Sequence, residues 1–125
     1  MKYLANIVSY DENHEHILII NVEHTILEVF STSTPYLVEY KKEYLIDLEA
    51  MVFDEYTVTR VNEFPQIRKI GNSLKYEIIG NLSEGKIKVN DLVFEDPILN
   101  SDFGYLDNEI VKWVVDRIDV YFYAS

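Results

Sequence analysis

Short runs of Val, Ile, Leu, Tyr and Phe alternate with clusters of Asn, Asp, Ser, Gly and Pro along the whole chain. β-Branched and aromatic residues favour strands, and the polar clusters supply the residues that turns require. The pattern therefore predicts an all-β protein, a single domain over residues 1–125 folded as an antiparallel β-barrel or a β-sandwich.

The N-terminal part of the chain predicts three strands, at residues 3–8, 16–22 and 25–30, with a hairpin turn at residues 11–15. An unbroken apolar run from Ile17 to Ile20 leaves the second strand no polar side, so we expect it to lie centrally and to be buried on both faces. Turn formers end the third strand, and Pro35 cannot donate to a ladder.

The middle of the chain shows a clear period of two. One face is predicted to be core, with Tyr44, Ile46, Leu48, Ala50 and Val52, and the opposite face carries Asp47 and Glu49. Residues 56–61 are expected to return antiparallel across the short Asp54 and Glu55 connection, as the second strand of a hairpin.

Turn residues at close spacing predict a meander of three strands, at residues 75–82, 86–89 and 92–94, followed by a surface loop at residues 96–104. A long bent strand ahead of a meander is similar to the strand order of OB-type barrels. This resemblance rests on strand order alone, and it implies a barrel face that binds nucleic acid or an oligosaccharide.

The segment 107–118 carries two conflicting signals. Glu109, Lys112 and Asp116 fall at helical spacing, and Asp107 is a suitable helix cap. The segment is also dense in β-branched residues, which pack well on sheets, so a long strand is favoured over a helix. A free edge at residues 118–123 would accept a second copy, which leaves both a monomer and a homodimer open.

Charge narrows the range of partners. The chain has 11 Lys plus Arg against 22 Asp plus Glu, for a net charge of -11, and residues 1–64 hold 4 basic and 12 acidic side chains. A field of this sign repels nucleic acid and anionic lipid, so the charge disfavours nucleic acid as a partner and favours a basic protein. The start of the chain lacks a signal-peptide pattern, and no apolar run is long enough for a spanning helix, which predicts a cytoplasmic protein without membrane contact.

Motifs for catalysis or cofactor binding are scarce. The chain has no Cys, so cysteine-ligated metals and thiol nucleophiles are excluded. The four Gly residues are isolated, and Ser73 lies in a turn without a catalytic elbow. We therefore expect no catalytic residue, no cofactor and no metal site, and we interpret Asp116, Arg117 and Asp119 as a structural ion-pair cluster.

Three weaker patterns keep other functions open. His14, His16 and His24 lie among carboxylates and would form a metal site only if the fold brought them together. The stretch from Arg68 to Lys88 is the one positively biased region, and alternating Lys on a strand is also a common defence of sheet edges. The ten Tyr residues include seven that predict an exposed aromatic patch beside carboxylates, at positions Tyr36, Tyr40, Tyr44, Tyr56, Tyr105, Tyr121 and Tyr123.

These observations favour a non-enzymatic, acidic protein-binding module, an inhibitor or immunity-type antidote of a basic bacterial protein. One alternative is an OB-like domain that binds nucleic acid or an oligosaccharide through residues 68–88. A second alternative is a small metal-assisted enzyme built on the three His residues. The sequence identifies no partner-binding residues.

Overall fold

The computed structural model describes residues 1–123, and it confirms the prediction of an all-β protein. The strands are β1 (Lys2–Tyr10), β2 (Ile17–Val22), β3 (Thr25–Phe30), β4 (Tyr44–Met51), β5 (Thr57–Arg60), β6 (Gln66–Lys69), β7 (Tyr76–Ser83), β8 (Lys86–Val89), β9 (Leu92–Glu95), β10 (Ile110–Val115) and β11 (Arg117–Phe122). The chain divides into two compact units, a barrel unit of residues 1–49 with the chain from Ile118 onward, and a sheet unit of residues 50–117.

The barrel unit is closed by five strands in the order β1-β2-β3-β11-β4, and β4 pairs again with β1. Its pairings are antiparallel at β1–β2, β2–β3 and β1–β4, whereas β3 and β11 run parallel, with Asp119 opposite Phe30. Because the five strands close on themselves, this unit is a barrel rather than a sandwich, and it has the five strands that an OB-type barrel has. The strands that close the barrel differ from those expected, because the predicted meander takes no part in the barrel.

Alternation along each strand fills the barrel interior. In β2, the inward residues Leu18, Ile20 and Val22 are fully buried, while Ile17 and Ile19 are half-buried on the outer side. The prediction that β2 is buried on both faces was therefore wrong, because a barrel strand has only one inward face. Its central position is confirmed, since β2 lies between β1 and β3.

Tight turns set the register of the N-terminal hairpins. Glu23 and His24 connect β2 to β3, and both have positive φ angles of 48° and 62°. Two successive residues of this kind are typical of the type I′ turn, whose twist matches that of the flanking strands. The β1–β2 hairpin predicted around residues 11–15 is also confirmed, with a short 3-10 turn at Glu12–His14.

The sheet unit has the strand order β5-β10-β7-β8-β9, with β6 paired to β7. The meander β7-β8-β9 confirms the prediction for residues 75–94. The predicted hairpin of β4 and β5 was wrong, since β4 pairs within the barrel and β5 pairs with β10, where Thr57 lies opposite Val114. Strand β6 was missed because its four residues show no alternation.

The predicted loop at residues 96–104 contains the helix α1 (Pro97–Ser101) and a 3-10 turn at Gly104–Leu106. The Asp96 side chain accepts a hydrogen bond from Ile98 N at 2.9 Å, and Pro97 occupies the first turn, where its missing N–H costs nothing. Leu99 is fully buried, so it holds the helix against the sheet unit.

The C-terminal segment is extended, as favoured, but it forms two strands rather than one. A bend at Asp116 separates β10 from β11. The β-branched content decided against a helix, because Val111, Trp113 and Val115 all face the core at a period of two. The expected free edge at residues 118–123 was wrong, because β11 is enclosed between β3 and β4. No helix within residues 1–123 is long and apolar enough to cross a bilayer.

Candidate functional site

The outer row of β4 carries both acidic and apolar side chains. The inward residues of β4 are buried, as the period of two predicted, and they include Tyr44 and Ile46. The outward positions of the same stretch are occupied by Glu43, Leu45, Asp47 and Glu49. Leu45 is 40% exposed, so this row offers an apolar side chain between carboxylates.

Neighbouring strands extend that row. Leu4 of β1 lies directly opposite Leu45 and is 55% exposed. On the other side of β4, Tyr123 N donates to Leu45 O at 3.1 Å, and the Lys2 Nζ lies 4.5 Å from the centre of the Tyr123 ring. We call this surface the acidic-apolar face. It consists of Leu4, Glu43, Leu45, Asp47, Glu49, Tyr121 and Tyr123, and it also carries Lys2 and the amino group of Met1, which lies 3.7 Å from Asp47 Oδ1.

The connection between β3 and β4, residues 31–43, is held in place at its start. Ser31 is buried, and its Oγ accepts from Ser33 N at 3.2 Å and from Thr34 Oγ1 at 2.9 Å. Ser33 Oγ in turn accepts from Phe122 N at 3.0 Å. These bonds fasten the first part of the connection to strand β11.

The same connection is also held at its end. Glu39 N donates to the hydroxyl of Tyr44 at 3.0 Å, and the Lys42 Nζ lies 3.6 Å from Glu39 Oε2. Between the two anchored ends, Tyr36 and Leu37 are strongly exposed. The connection therefore presents apolar side chains on a backbone that hydrogen bonds restrain.

A cavity of about 390 Å³ lies beside this connection, within the barrel unit, and is lined by Ser33, Pro35, Leu37, Lys42, Tyr44, Phe122 and Tyr123. Its aromatic wall is ordered by packing, because the Tyr44 and Phe122 rings meet edge to face with centres 5.6 Å apart. Sequence reasoning missed this cavity, because its lining brings residues 33–44 together with Phe122 and Tyr123, which are far apart in the chain.

The three His residues have separate roles in the barrel unit. His14 Nδ1 lies 3.0 Å from Asp11 Oδ2, and His16 Nδ1 donates to Ser31 O at 3.0 Å. His24 occupies the β2–β3 turn. Across residues 1–123, no group of three or more His, Asp or Glu side chains is arranged to hold a metal ion. The structure thus gives no support to a metal site on these residues.

Acidic partners surround much of the basic stretch in the sheet unit. Arg68 contacts Glu77 at 2.7 Å and Glu63 at 3.1 Å, and Lys86 lies 3.9 Å from Glu95. The hydrogen bond from Arg68 is the main cause that holds the pKa of the Glu77 carboxyl below its ordinary value. The stretch therefore offers little unpaired positive charge to a phosphate backbone.

A second cavity, of about 630 Å³, lies in the sheet unit and is lined by Asp54, Glu55, Thr57, Lys75, Val114 and Asp116. Asp116 accepts a hydrogen bond from Phe53 N at 2.7 Å, and its other oxygen lies 3.9 Å from Lys75 Nζ. The Arg117 guanidinium lies over the Phe53 ring at 5.0 Å. Asp116 is thus bonded to Phe53 N and lies near Lys75, while an ion-pair cluster of Asp116, Arg117 and Asp119 stays a prediction.

The seven singled-out Tyr residues do not form one patch. Five are exposed, namely Tyr36, Tyr40, Tyr105, Tyr121 and Tyr123. Tyr44 is buried in the barrel, and Tyr56 is half-buried against Trp113, with ring centres 6.2 Å apart. Tyr56 also donates to Asp96 at 2.5 Å. Four of the five exposed Tyr side chains belong to the barrel unit, and Tyr105 belongs to the sheet unit.

Comparison with curated proteins and with solved structures found no match. A protein-family model, by contrast, matches residues 1–123, which is nearly the whole chain. The chain therefore belongs to the family described as Uncharacterised conserved protein UCP019853.

Proposed function

We propose that this protein is a non-enzymatic module that binds a basic protein through the acidic-apolar face, as an inhibitor or immunity-type antidote of that protein. One observation carries the proposal: charge and exposed apolar side chains coincide in the barrel unit. Of the thirteen exposed large hydrophobic side chains within residues 1–123, ten belong to the barrel unit. The same unit has 3 basic and 10 acidic side chains.

The two properties act at different stages of binding. Negative charge steers a basic partner toward the surface and speeds association, while apolar side chains at the centre of an interface supply most of the affinity. Glu43 and Glu49 form no ion pair within residues 1–123, so their charge is available to a partner. Leu4, Leu45 and Tyr123 provide apolar area between them.

Nucleic-acid binding is less well supported. OB-type barrels bind oligonucleotides through the face of strands two and three and the adjoining loops. In this chain the corresponding residues 11–30 include five Asp or Glu and no Lys or Arg. Such a surface cannot release counterions from phosphates, which is the main source of affinity for nucleic acid.

The test is affinity capture from a lysate of the source organism at about 50 mM and about 500 mM salt. Attraction between charged surfaces is largely screened at the higher concentration and much less at the lower one. The protein is compared with Glu43→Lys/Glu49→Lys, and with Glu84→Lys/Asp91→Lys as a control. The control makes the same change in net charge at exposed positions of the sheet unit.

We expect one basic protein to be retained at low salt and weakened at high salt. Its retention falls by roughly tenfold or more in the barrel variant, because two close charge pairs become repulsive. The control variant retains it nearly as well as the unmodified protein. Equal loss from both variants, or capture of no basic protein, would contradict the proposal.

A further inference from the structure

We propose that the open edge of strand β5 in the sheet unit accepts one antiparallel strand of a basic protein, with a Lys or Arg side chain of that strand directed at the carboxylates of the neighbouring cavity. The sheet unit alone carries this inference, which goes beyond the proposed function and uses none of the acidic-apolar face. Three features support it, namely the topology of the sheet, the residues of the edge and the charges beside it.

Strand β5 is the end of its sheet, because within residues 1–123 it pairs only with β10. Val61 N, directly after the strand, donates to Ile110 O at 3.0 Å. Alternate residues of an antiparallel pair are hydrogen-bonded, so the two Thr residues of β5 also use their backbone groups in the pairing with β10. The N–H and C=O groups of Val58 and Arg60 therefore point to the open side of the sheet.

The residues of this edge favour pairing. Three of the four positions of β5 are Thr or Val, which have a high strand propensity. Natural sheets commonly protect an edge with Pro or with charged side chains, and β6 has this protection, with Pro65 directly before it and Arg68 and Lys69 within it. The one charged residue of β5 is Arg60, whose Nε lies 3.6 Å from Glu109 Oε2. The β5 edge is thus the less protected of the two.

A strand added to this edge carries side chains over the cavity of about 630 Å³. Residues directly opposite each other in a sheet share a face, so Thr57 and Val114 lie on the same face, and both line the cavity. A side chain that lies opposite Thr57 in the added strand emerges on that face too. The aliphatic part of a Lys or Arg side chain then packs on Thr57 and Val114, and its charged end reaches the acidic part of the lining.

The charge of the cavity selects a cation. Its lining has three carboxylates, those of Asp54, Glu55 and Asp116, against the single ammonium group of Lys75. Lys75 lies 3.9 Å from Asp116, whereas Asp54 and Glu55 form no ion pair within residues 1–123. The carboxylates outnumber the cations even when the nearby Arg117 guanidinium is counted. A Lys or Arg side chain offsets this charge, and an Asp or Glu side chain is repelled by it.

The same charge argues against a second copy of the chain on this edge. If two copies paired through β5, each would bring Asp54 and Glu55 and a net charge of -11 to the contact. Like charges of this size repel, and a basic strand gains from the same field. The occupant that fits is therefore a strand with alternating Lys or Arg, held by its backbone as in other cases of strand addition.

The test is an NMR titration of the full ¹⁵N-labelled chain with four short peptides. The basic peptide is acetyl-Val-Lys-Val-Lys-Val-amide, and the acidic peptide has Glu in place of both Lys. When the Lys side chains share the face of Thr57, the backbone groups of the Val residues point at Val58 and Arg60. Two further basic peptides carry one N-methyl group, either on the central Val or on the Lys that follows it.

We expect the basic peptide to shift the amide protons of Val58 and Arg60 downfield, because both amides gain a hydrogen bond. N-methylation of the central Val weakens binding by about fivefold or more, since it removes one of the bonds between the strands. N-methylation of the Lys leaves the affinity within about twofold, because that N–H points away from β5. The acidic peptide shifts neither amide at about 5 mM, a concentration that detects even weak binding.

A pair of charge-removing variants tests the cavity. Asp54→Asn/Glu55→Gln is expected to weaken the basic peptide by about threefold or more, because two exposed carboxylates are lost. The matched control is Glu84→Gln/Asp91→Asn, which makes the same change in net charge at exposed positions of the same unit. We expect the control to bind the basic peptide nearly as well as the unmodified chain.

Each of the opposite results overturns the inference. Equal weakening by the two N-methyl groups, or no shift of the Val58 and Arg60 amides at about 5 mM basic peptide, shows that no strand is added. Equal loss in the two variants shows that the peptide responds only to the overall charge. A shift of the same two amides when the free chain is concentrated shows that a second copy is the occupant. None of these results alters the proposed function, since both variants keep Glu43 and Glu49.

Discussion

The barrel unit and the sheet unit differ in how far Lys and Arg side chains offset their carboxylates. In the sheet unit, five cations each have a carboxylate oxygen within 4 Å, namely Arg60, Arg68, Lys75, Lys86 and Lys112. The unit carries 8 basic and 12 acidic side chains. The barrel unit carries 3 basic and 10 acidic side chains, and Glu43 and Glu49 form no ion pair with another of the described residues 1–123.

Aromatic residues show the same contrast. Trp113 of the sheet unit is fully buried, and Tyr56 stacks on it while donating to Asp96. In the barrel unit, Tyr121 and Tyr123 are exposed. Surface ion pairs contribute little to stability, but they cancel the local field. The sheet unit thus uses many of its polar groups in internal contacts, while the barrel unit has more exposed apolar side chains, which the proposed binding of a basic protein would use.

The largest expected effect tests the close packing of the sheet unit. A Cβ at Gly80 in β7 would overlap the backbone carbonyl oxygen of Lys88, which cannot move without breaking the β7–β8 pairing. We expect Gly80→Ala to lower the free energy of unfolding by about 4 kcal/mol, among the larger effects of single substitutions. Urea denaturation followed by circular dichroism measures the change.

Gly104→Ala is the control for this substitution. It lies in the same unit with nothing near its added methyl group, and we expect a change below about 0.5 kcal/mol. If Gly80→Ala and Gly104→Ala were equally stable, strands β7 and β8 would pack less closely than the position of the Lys88 carbonyl oxygen indicates.

The second prediction compares the two faces of β4 in the barrel unit. Ile46 is fully buried, and its neighbour Leu45 is 40% exposed. Ile46→Ala is expected to cost roughly 3 kcal/mol through lost burial and a cavity, whereas Leu45→Ala costs less than about 1 kcal/mol because it removes only the cross-strand contact with Leu4. Thermal or urea unfolding of both variants gives the difference. A similar cost for both would show that the acidic-apolar face is needed for folding, and the contrast between the units would fail.

The third prediction concerns pH and the Tyr56 hydroxyl of the sheet unit. Burial, and then the hydrogen bond to Asp96, raises the pKa of Tyr56 from 10.0 to about 12. The folded state therefore favours the protonated Tyr56 hydroxyl. The contribution of this preference to the free energy of unfolding is complete below pH 10 and is lost as the pH rises from 10 to about 12. Tyr56→Phe should cost about 1–2 kcal/mol at pH 7, since it leaves the Asp96 carboxylate without this donor.

The measurement is the urea midpoint of both proteins at a series of alkaline pH values. We expect the unmodified protein to lose more stability than Tyr56→Phe between pH 10 and about 12, so the two curves converge. Parallel curves would contradict the structural role given to the Tyr56 and Asp96 bond. The rest of the sequence is identical in the two proteins, so its contribution to the pH dependence cancels in the difference.

Local chemistry allowed most elements to be predicted from the sequence. The alternation in β4, the turn residues of the β7-β8-β9 meander and the β-branched residues of β10 each act over a few neighbouring positions. The helix α1 was missed although its signal was present, because Asp96 and Pro97 suit both a loop and a helix start. The acidic outer face of β4 was also predictable, since Asp47 and Glu49 lie opposite a core face.

Composition and short-range periodicity thus determined by themselves that the protein is acidic and all-β, and which side of β4 faces inward. Only the tertiary structure decided that β4 pairs with β1 and β11 rather than with β5, that β11 is enclosed in the barrel, and that residues 31–43 border a cavity with Phe122 and Tyr123. The reason is physical, because these contacts join residues that are far apart in the chain, and their choice depends on which strands can bury their inward faces together.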